Sequence, residues 1–90
     1  LHAERTLQRL KQMIADLCAV DAQSIRGEGM LRGYGLDSIR IMDLMATIES
    51  EFEVQLRVEE MGSIASVRDL AEHIDRVIAR NAPVEAAATR

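Results

Sequence analysis

The sequence predicts an all-α domain, a small four-helix bundle of three main helices and one short helix. Two observations carry this. Hydrophobic residues make up 48% of the chain and aromatics only 2%, so the core is built from Leu, Ile, Val, Met and Ala, a set that favours helix packing over a β-sandwich. Three segments repeat their apolar residues at helical spacing, and 90 residues suit one small domain.

The elements follow in order. Leu7, Leu10, Ile14 and Leu17, widened by Met13 and Val20, predict a first helix from about Glu4 to Ala19. Residues 21–37 carry Gly27, Gly29, Gly33 and Gly35 and read as a long loop, anchored into the core by Ile25, Met30, Leu31 and Leu36. A second helix runs from Ser38 to about Glu53, with Asp37 as its N-cap. At ~100° per residue, Ile41, Leu44, Met45, Ile48 and Phe52 form its core stripe. Ile39, Met42 and Ala46 form a second patch, rotated by roughly 130° and surplus to folding. Val54 to Arg57 is a connector, and Val58 to Met61 a single helical turn before Gly62. Ser66 and Asp69 read as a capping box. After them Val67, Leu70, Ala71, Ile74, Val77 and Ile78 define a last helix ending near Asn81. The domain therefore spans residues 4–81, and residues 82–90, with Pro83 and an Ala-rich run, read as a flexible tail or interdomain linker.

Charge and composition exclude several function classes. A net charge of −4 and a pI of about 5.1 argue against binding nucleic acid. No apolar run is long enough to span a membrane, and Leu1 to Arg5 do not resemble a signal peptide. Cys18 is the only cysteine, which leaves no internal disulfide and fits a reducing compartment. It lies beside the first apolar stripe and is expected to be a buried small hydrophobe. The chain is expected to be a monomeric, cytoplasmic domain, and its start at Leu1 without a methionine suits a fragment of something larger.

The chemistry concentrates on Tyr34-Gly35-Leu36-Asp37-Ser38-Ile39-Arg40, which places one serine where a Gly-rich loop becomes an amphipathic helix. A helix start offers unpaired N–H groups and the positive end of the macrodipole, which favour a phosphate. A serine hydrolase would need glycines flanking Ser38 at offsets this run lacks. It would also need a base, and the chain offers only His2 near its end and His73 on the last helix. A metal site is equally unsupported. His73 with Glu72 or Asp69, and Asp43 with Glu49, Glu51 and Glu53, read as solvated helix faces, and no Cys or His cluster has ligand spacing. A serine that is displayed but not activated is a point of attachment. The rival reading is a non-catalytic helical docking module in which Ser38 only starts a helix.

Gly35-Leu36-Asp37-Ser38-Ile39 resembles the attachment motif of phosphopantetheine-dependent carrier domains. These are the acyl, aryl and peptidyl carrier proteins of fatty-acid, polyketide and nonribosomal-peptide synthesis. The resemblance runs from about Thr6 to Ile78 and takes in the long loop, the acidic end of the second helix at Glu49 to Phe52, and Ser66 to Ala71. It implies a bundle of the acyl-carrier-protein type with no catalytic residue of its own. Ser38 would bear 4′-phosphopantetheine taken from coenzyme A by a phosphopantetheinyl transferase, and Asp37 would present it. The arm's thiol would hold an acyl, aryl or aminoacyl group as a thioester, so the chemistry would be the cofactor's. Ile39, Arg40, Met42, Asp43, Ala46 and Met61 would meet partners, with Ile64 completing the inner wall. Those partners would be the transferase, a loading enzyme (an adenylation domain or acyltransferase), and condensation or ketosynthase and offloading enzymes. Fatty-acid carriers tend to have an acidic residue where this chain has Arg40, which argues for polyketide or nonribosomal-peptide synthesis, the pathways of secondary metabolites.

Overall fold

The computed structural model describes the backbone of residues 2–88 and the side chains of residues 4–80. Three α-helices, α1 (His2–Cys18), α2 (Ser38–Phe52) and α3 (Val67–Ala88), pack with a short 3-10 helix at Val58–Ser63. Among the described residues the fold is all-α, apart from one isolated antiparallel bridge between Met30 and Ser66. The apolar stripes meet where their periodicity directs them. Leu10 and Ile14 of α1, Leu44 and Ile48 of α2, and Leu70 and Ile74 of α3 are fully buried. Polar ties connect the helices. The Thr6 hydroxyl donates to Asp75 at 2.6 Å between α1 and α3, and Arg9 pairs with Glu51 at 2.8 Å between α1 and α2.

The long loop is more ordered than its glycines imply. It contains two 3-10 turns, Ala22–Ser24 and Leu31–Tyr34. Ile25, Leu31 and Leu36 are buried as expected, but Met30 is 53% exposed. The cause is local geometry. Met30 is extended at its bridge to Ser66 (φ −82, ψ 136) and successive extended side chains alternate, so Leu31 turns inward and Met30 outward. The Tyr34 hydroxyl accepts the Arg26 N–H at 2.8 Å. Its ring lies against Gly29 so closely that a Cβ there would overlap the phenol.

Other expectations change at element ends. Val20, expected in the first stripe, is exposed, because α1 stops at Cys18 and Ala19 turns the chain into the left-handed region (φ 59). Cys18 is only partly buried, being the last residue of that helix. The short helix is 3-10 and extends through Gly62 to Ser63. In the connector Val54 and Leu56 are buried and alternate with exposed Gln55 and Arg57. Glu49 holds it by accepting the Leu56 N–H at 2.9 Å. α3 continues past Asn81 to Ala88 with Pro83 inside it; Ala86 to Ala88 favour the helix, whereas Pro83 removes one of its backbone donors. The side chains of residues 81–90, where the expected tail or linker falls, lie outside the described residues, as does that of His2.

Candidate functional site

The start of α2 is built by three successive residues of the loop. Gly35 adopts a left-handed conformation (φ 83) that L side chains avoid, and this reverses the chain. Leu36 then buries its side chain in the core. Asp37 is extended and caps the helix: its Oδ1 accepts the Arg40 N–H at 3.0 Å and its carbonyl the Ile41 N–H at 2.8 Å. Ser38, the first residue inside the helix, is exposed. The cap is supplied by its neighbour, so its hydroxyl is left for other chemistry. A Cβ placed on Gly33 or Gly35, in the loop before Ser38, would meet nothing within 4 Å.

The second patch of α2 is on the surface, with Ile39 74% exposed, Met42 51% exposed, and Ala46 and Asp43 also exposed. Met61 is half-buried against the core and so is Ile64. Arg40 is exposed as well, but it has an intramolecular partner: its Nη1 donates to the Leu17 carbonyl at 3.2 Å. The acidic end of α2 is also engaged within the fold. Glu49 holds Leu56, and Glu51 is paired with Arg9. The hydrogen bond from the Arg9 side chain keeps the Glu51 carboxyl below the usual glutamate range.

His73 corrects another expectation. It is not on a solvated face but 7% exposed, with Nε2 3.0 Å from Glu60 Oε1, joining α3 to the short 3-10 helix. Glu72 and Asp69 are not its partners; Asp69 instead accepts the Ser66 and Ala65 N–H groups, at 3.2 and 3.3 Å. Those backbone donors hold the Asp69 carboxyl below the usual aspartate range. Among the described residues no group of three or more His, Cys, Asp and Glu could hold a metal ion. Among the described residues no helix is long and apolar enough to cross a membrane.

Sequence reasoning missed two positioning contacts. The Gly27 and Gly29 carbonyls accept the Arg68 and Val67 N–H groups at 2.8 and 2.9 Å, and so tie the loop that leads to Ser38 onto α3. The Arg40–Leu17 bond ties α2 to α1. The only signal for the second was that the last turn of α1 has no basic residue of its own.

Comparison with known proteins finds a family match for this sequence. The family model described as "Phosphopantetheine attachment site" matches residues 8–74. The acyl carrier protein of Clostridium acetobutylicum is 32% identical over 68 residues, covering 74% of this chain and 88% of that protein. The acyl carrier protein of Campylobacter jejuni subsp. doylei is 23% identical over 73 residues, covering 80% and 95%. The crystal structure of the acyl carrier protein of Thermotoga maritima superposes with a TM-score of 0.77 at 21% identity, over 89% of this chain and 94% of that one, a likeness of fold.

Proposed function

This chain belongs to the phosphopantetheine attachment-site family, and from that premise we propose that Ser38 is the residue that bears the group. The family makes the chain a carrier without catalytic activity of its own, with 4′-phosphopantetheine as its covalent cofactor. What supports Ser38 is one observation: it is an exposed serine at a helix start whose capping is done by Asp37.

The residues present fit a phosphodiester at that position. The hydroxyl is accessible, and the helix end provides a positive dipole for the phosphate. When bound, the group supplies the thiol on which an acyl, aryl or aminoacyl load is held as a thioester. The protein's part is mechanical and electrostatic. Asp37 fixes the first turn of α2, Leu36 anchors the loop before it, and Tyr34 braces that loop through the Arg26 N–H. Ile39, Met42 and Ala46 offer an apolar surface beside the attachment point, flanked by Asp43. A phosphopantetheinyl transferase, a loading enzyme, and condensing and offloading enzymes would read that surface in turn.

We place the carrier, as a cytoplasmic monomer, in polyketide or nonribosomal-peptide synthesis. The support is Arg40, two positions after Ser38, within Tyr34-Gly35-Leu36-Asp37-Ser38-Ile39-Arg40-Ile41-Met42. Incubation with a phosphopantetheinyl transferase and coenzyme A, followed by intact mass and peptide mapping, tests the attachment. One phosphopantetheine on the Ser38 peptide is expected; an unmodified chain returns it to a docking module. Loading of the modified chain by an adenylation domain or a polyketide acyltransferase, against a fatty-acid acyltransferase, tests the pathway. Preference for the fatty-acid enzyme overturns the assignment.

A further inference from the structure

We propose that Arg40 is a positioning residue that ties the first turn of α2 to the last turn of α1 and thereby holds Ser38 in place. The proposal rests on the reading of Ser38 as the attachment residue. It starts from two local electrostatic mismatches. α1 ends with Ala15-Asp16-Leu17-Cys18 and has no basic residue in its last turn. A helix C-terminus carries partial negative charge and unpaired carbonyls, and Asp16 adds a further negative charge. α2 has the reverse problem in part: Asp37 caps it, but its first turn holds no acidic residue of its own and Arg40 stands in it, where the helix end disfavours a cation.

Each mismatch answers the other. Arg40 Nη1 donates to the Leu17 carbonyl at 3.2 Å, across 23 residues of sequence. The backbone does not already serve that carbonyl's turn in full: around left-handed Ala19, the Val20 N–H takes the Ala15 carbonyl at 3.0 Å, a different acceptor. Meanwhile the Arg40 N–H is held by Asp37 Oδ1 at 3.0 Å. One residue therefore joins the cap of α2 to the end of α1, two positions from Ser38. The two side chains are separated by about 200° around the helix. The guanidinium thus lies on the face away from the serine and acts through the backbone, not as a ligand of the phosphate.

The test compares Arg40→Ala and Arg40→Lys with Arg9→Ala, which removes the α1–α2 pair of Arg9 and Glu51 at the opposite end of α2 from Ser38. Phosphopantetheine transfer from coenzyme A is followed by intact mass, with kcat and KM separated, at low salt and at about 0.5 M salt, which removes long-range steering. Amide exchange is measured on the same unmodified variants. Arg40→Ala is expected to lower kcat roughly fivefold at both salt concentrations and to speed exchange at Ile39 to Ile41 and at Cys18 to Val20. Arg40→Lys, which keeps a cationic donor, is expected to recover most of both, and Arg9→Ala to leave kcat unchanged. A loss confined to KM that disappears in high salt would make Arg40 a steering charge and overturn the proposal. So would equal losses in Arg9→Ala and Arg40→Ala. If the wild-type chain takes no phosphopantetheine at Ser38, the attachment reading fails, while unchanged exchange in Arg40→Ala would independently refute the tie between α1 and α2.

Discussion

Two helices of this domain start beside a serine, and the two serines are used in opposite ways. At the start of α3, Ser66 is the cap: its Oγ accepts the Asp69 N–H at 3.0 Å while Asp69 accepts the Ser66 N–H in return. The Gly29 and Gly27 carbonyls take the next two N–H groups, those of Val67 and Arg68, and Val67 is fully buried. At the start of α2 the cap is Asp37, and the serine comes one residue later, exposed and followed by exposed Ile39. A helix end has a fixed set of donors to satisfy. Moving the capping duty one residue upstream leaves a serine free at the same positive end, which is what an attachment point requires.

The largest test of this contrast exchanges the two serines for alanine. Ser38→Ala should abolish phosphopantetheine transfer and leave the fold intact, since alanine is a good helix former and Asp37 keeps the cap. Ser66→Ala should accept the group at the wild-type stoichiometry. Intact mass decides both, and transfer to the Ser38 variant would place the attachment elsewhere.

Apolar truncation in the two first turns should differ next most. Leu70 is fully buried and Ile39 is 74% exposed. Leu70→Ala is expected to cost ~2–5 kcal/mol, and Ile39→Ala less than ~0.5 kcal/mol, in denaturant melts. Ile48→Ala and Met42→Ala repeat the contrast within α2 alone. Comparable losses for the exposed and buried members would mean that the α2 surface is not free.

The loop that serves α3 can be broken at Gly29, where an added Cβ would collide with the Tyr34 ring. Gly29→Ala is expected to cost about 1–3 kcal/mol, as overpacking does, and to release amide protection at Val67 and Arg68. Thermal melts and hydrogen exchange measure the two effects together. Removing the caps themselves should cost less: Ser66→Ala and Asp37→Ala are each expected to lose ~1 kcal/mol. Only Asp37→Ala should also slow transfer to Ser38.

The smallest effect is in pH. Asp69 is held below the usual aspartate range, first by the Ser66 N–H and then by the Ala65 N–H. A carboxyl lowered on folding contributes stability that is fully present above its unfolded pKa and is lost as pH falls through the folded one. The stability gap between wild type and Asp69→Asn should therefore be constant from neutral pH down to the ordinary aspartate range and close below it. A gap that widens in acid would mean that Asp69 does not act as the charged half of the capping box.

Much of this was legible in the chain, and the reason is distance along it. The helical stripes, the Asp37 cap and the Ser66–Asp69 box each depend on residues within about one turn of each other, so spacing alone determined them. The same local rule placed Ile39, Met42 and Ala46 off the core stripe, and with them the surface beside Ser38. Only the tertiary structure decided the rest. Met30 turns outward because its backbone pairs with Ser66, and His73 is buried because Glu60 of another element meets it. Glu51 is bound to Arg9 and Arg40 to Leu17 across 42 and 23 residues of sequence. Each of these is a polar group whose partner is chosen by how the helices pack, and periodicity within one helix carries no information about the helix it will meet.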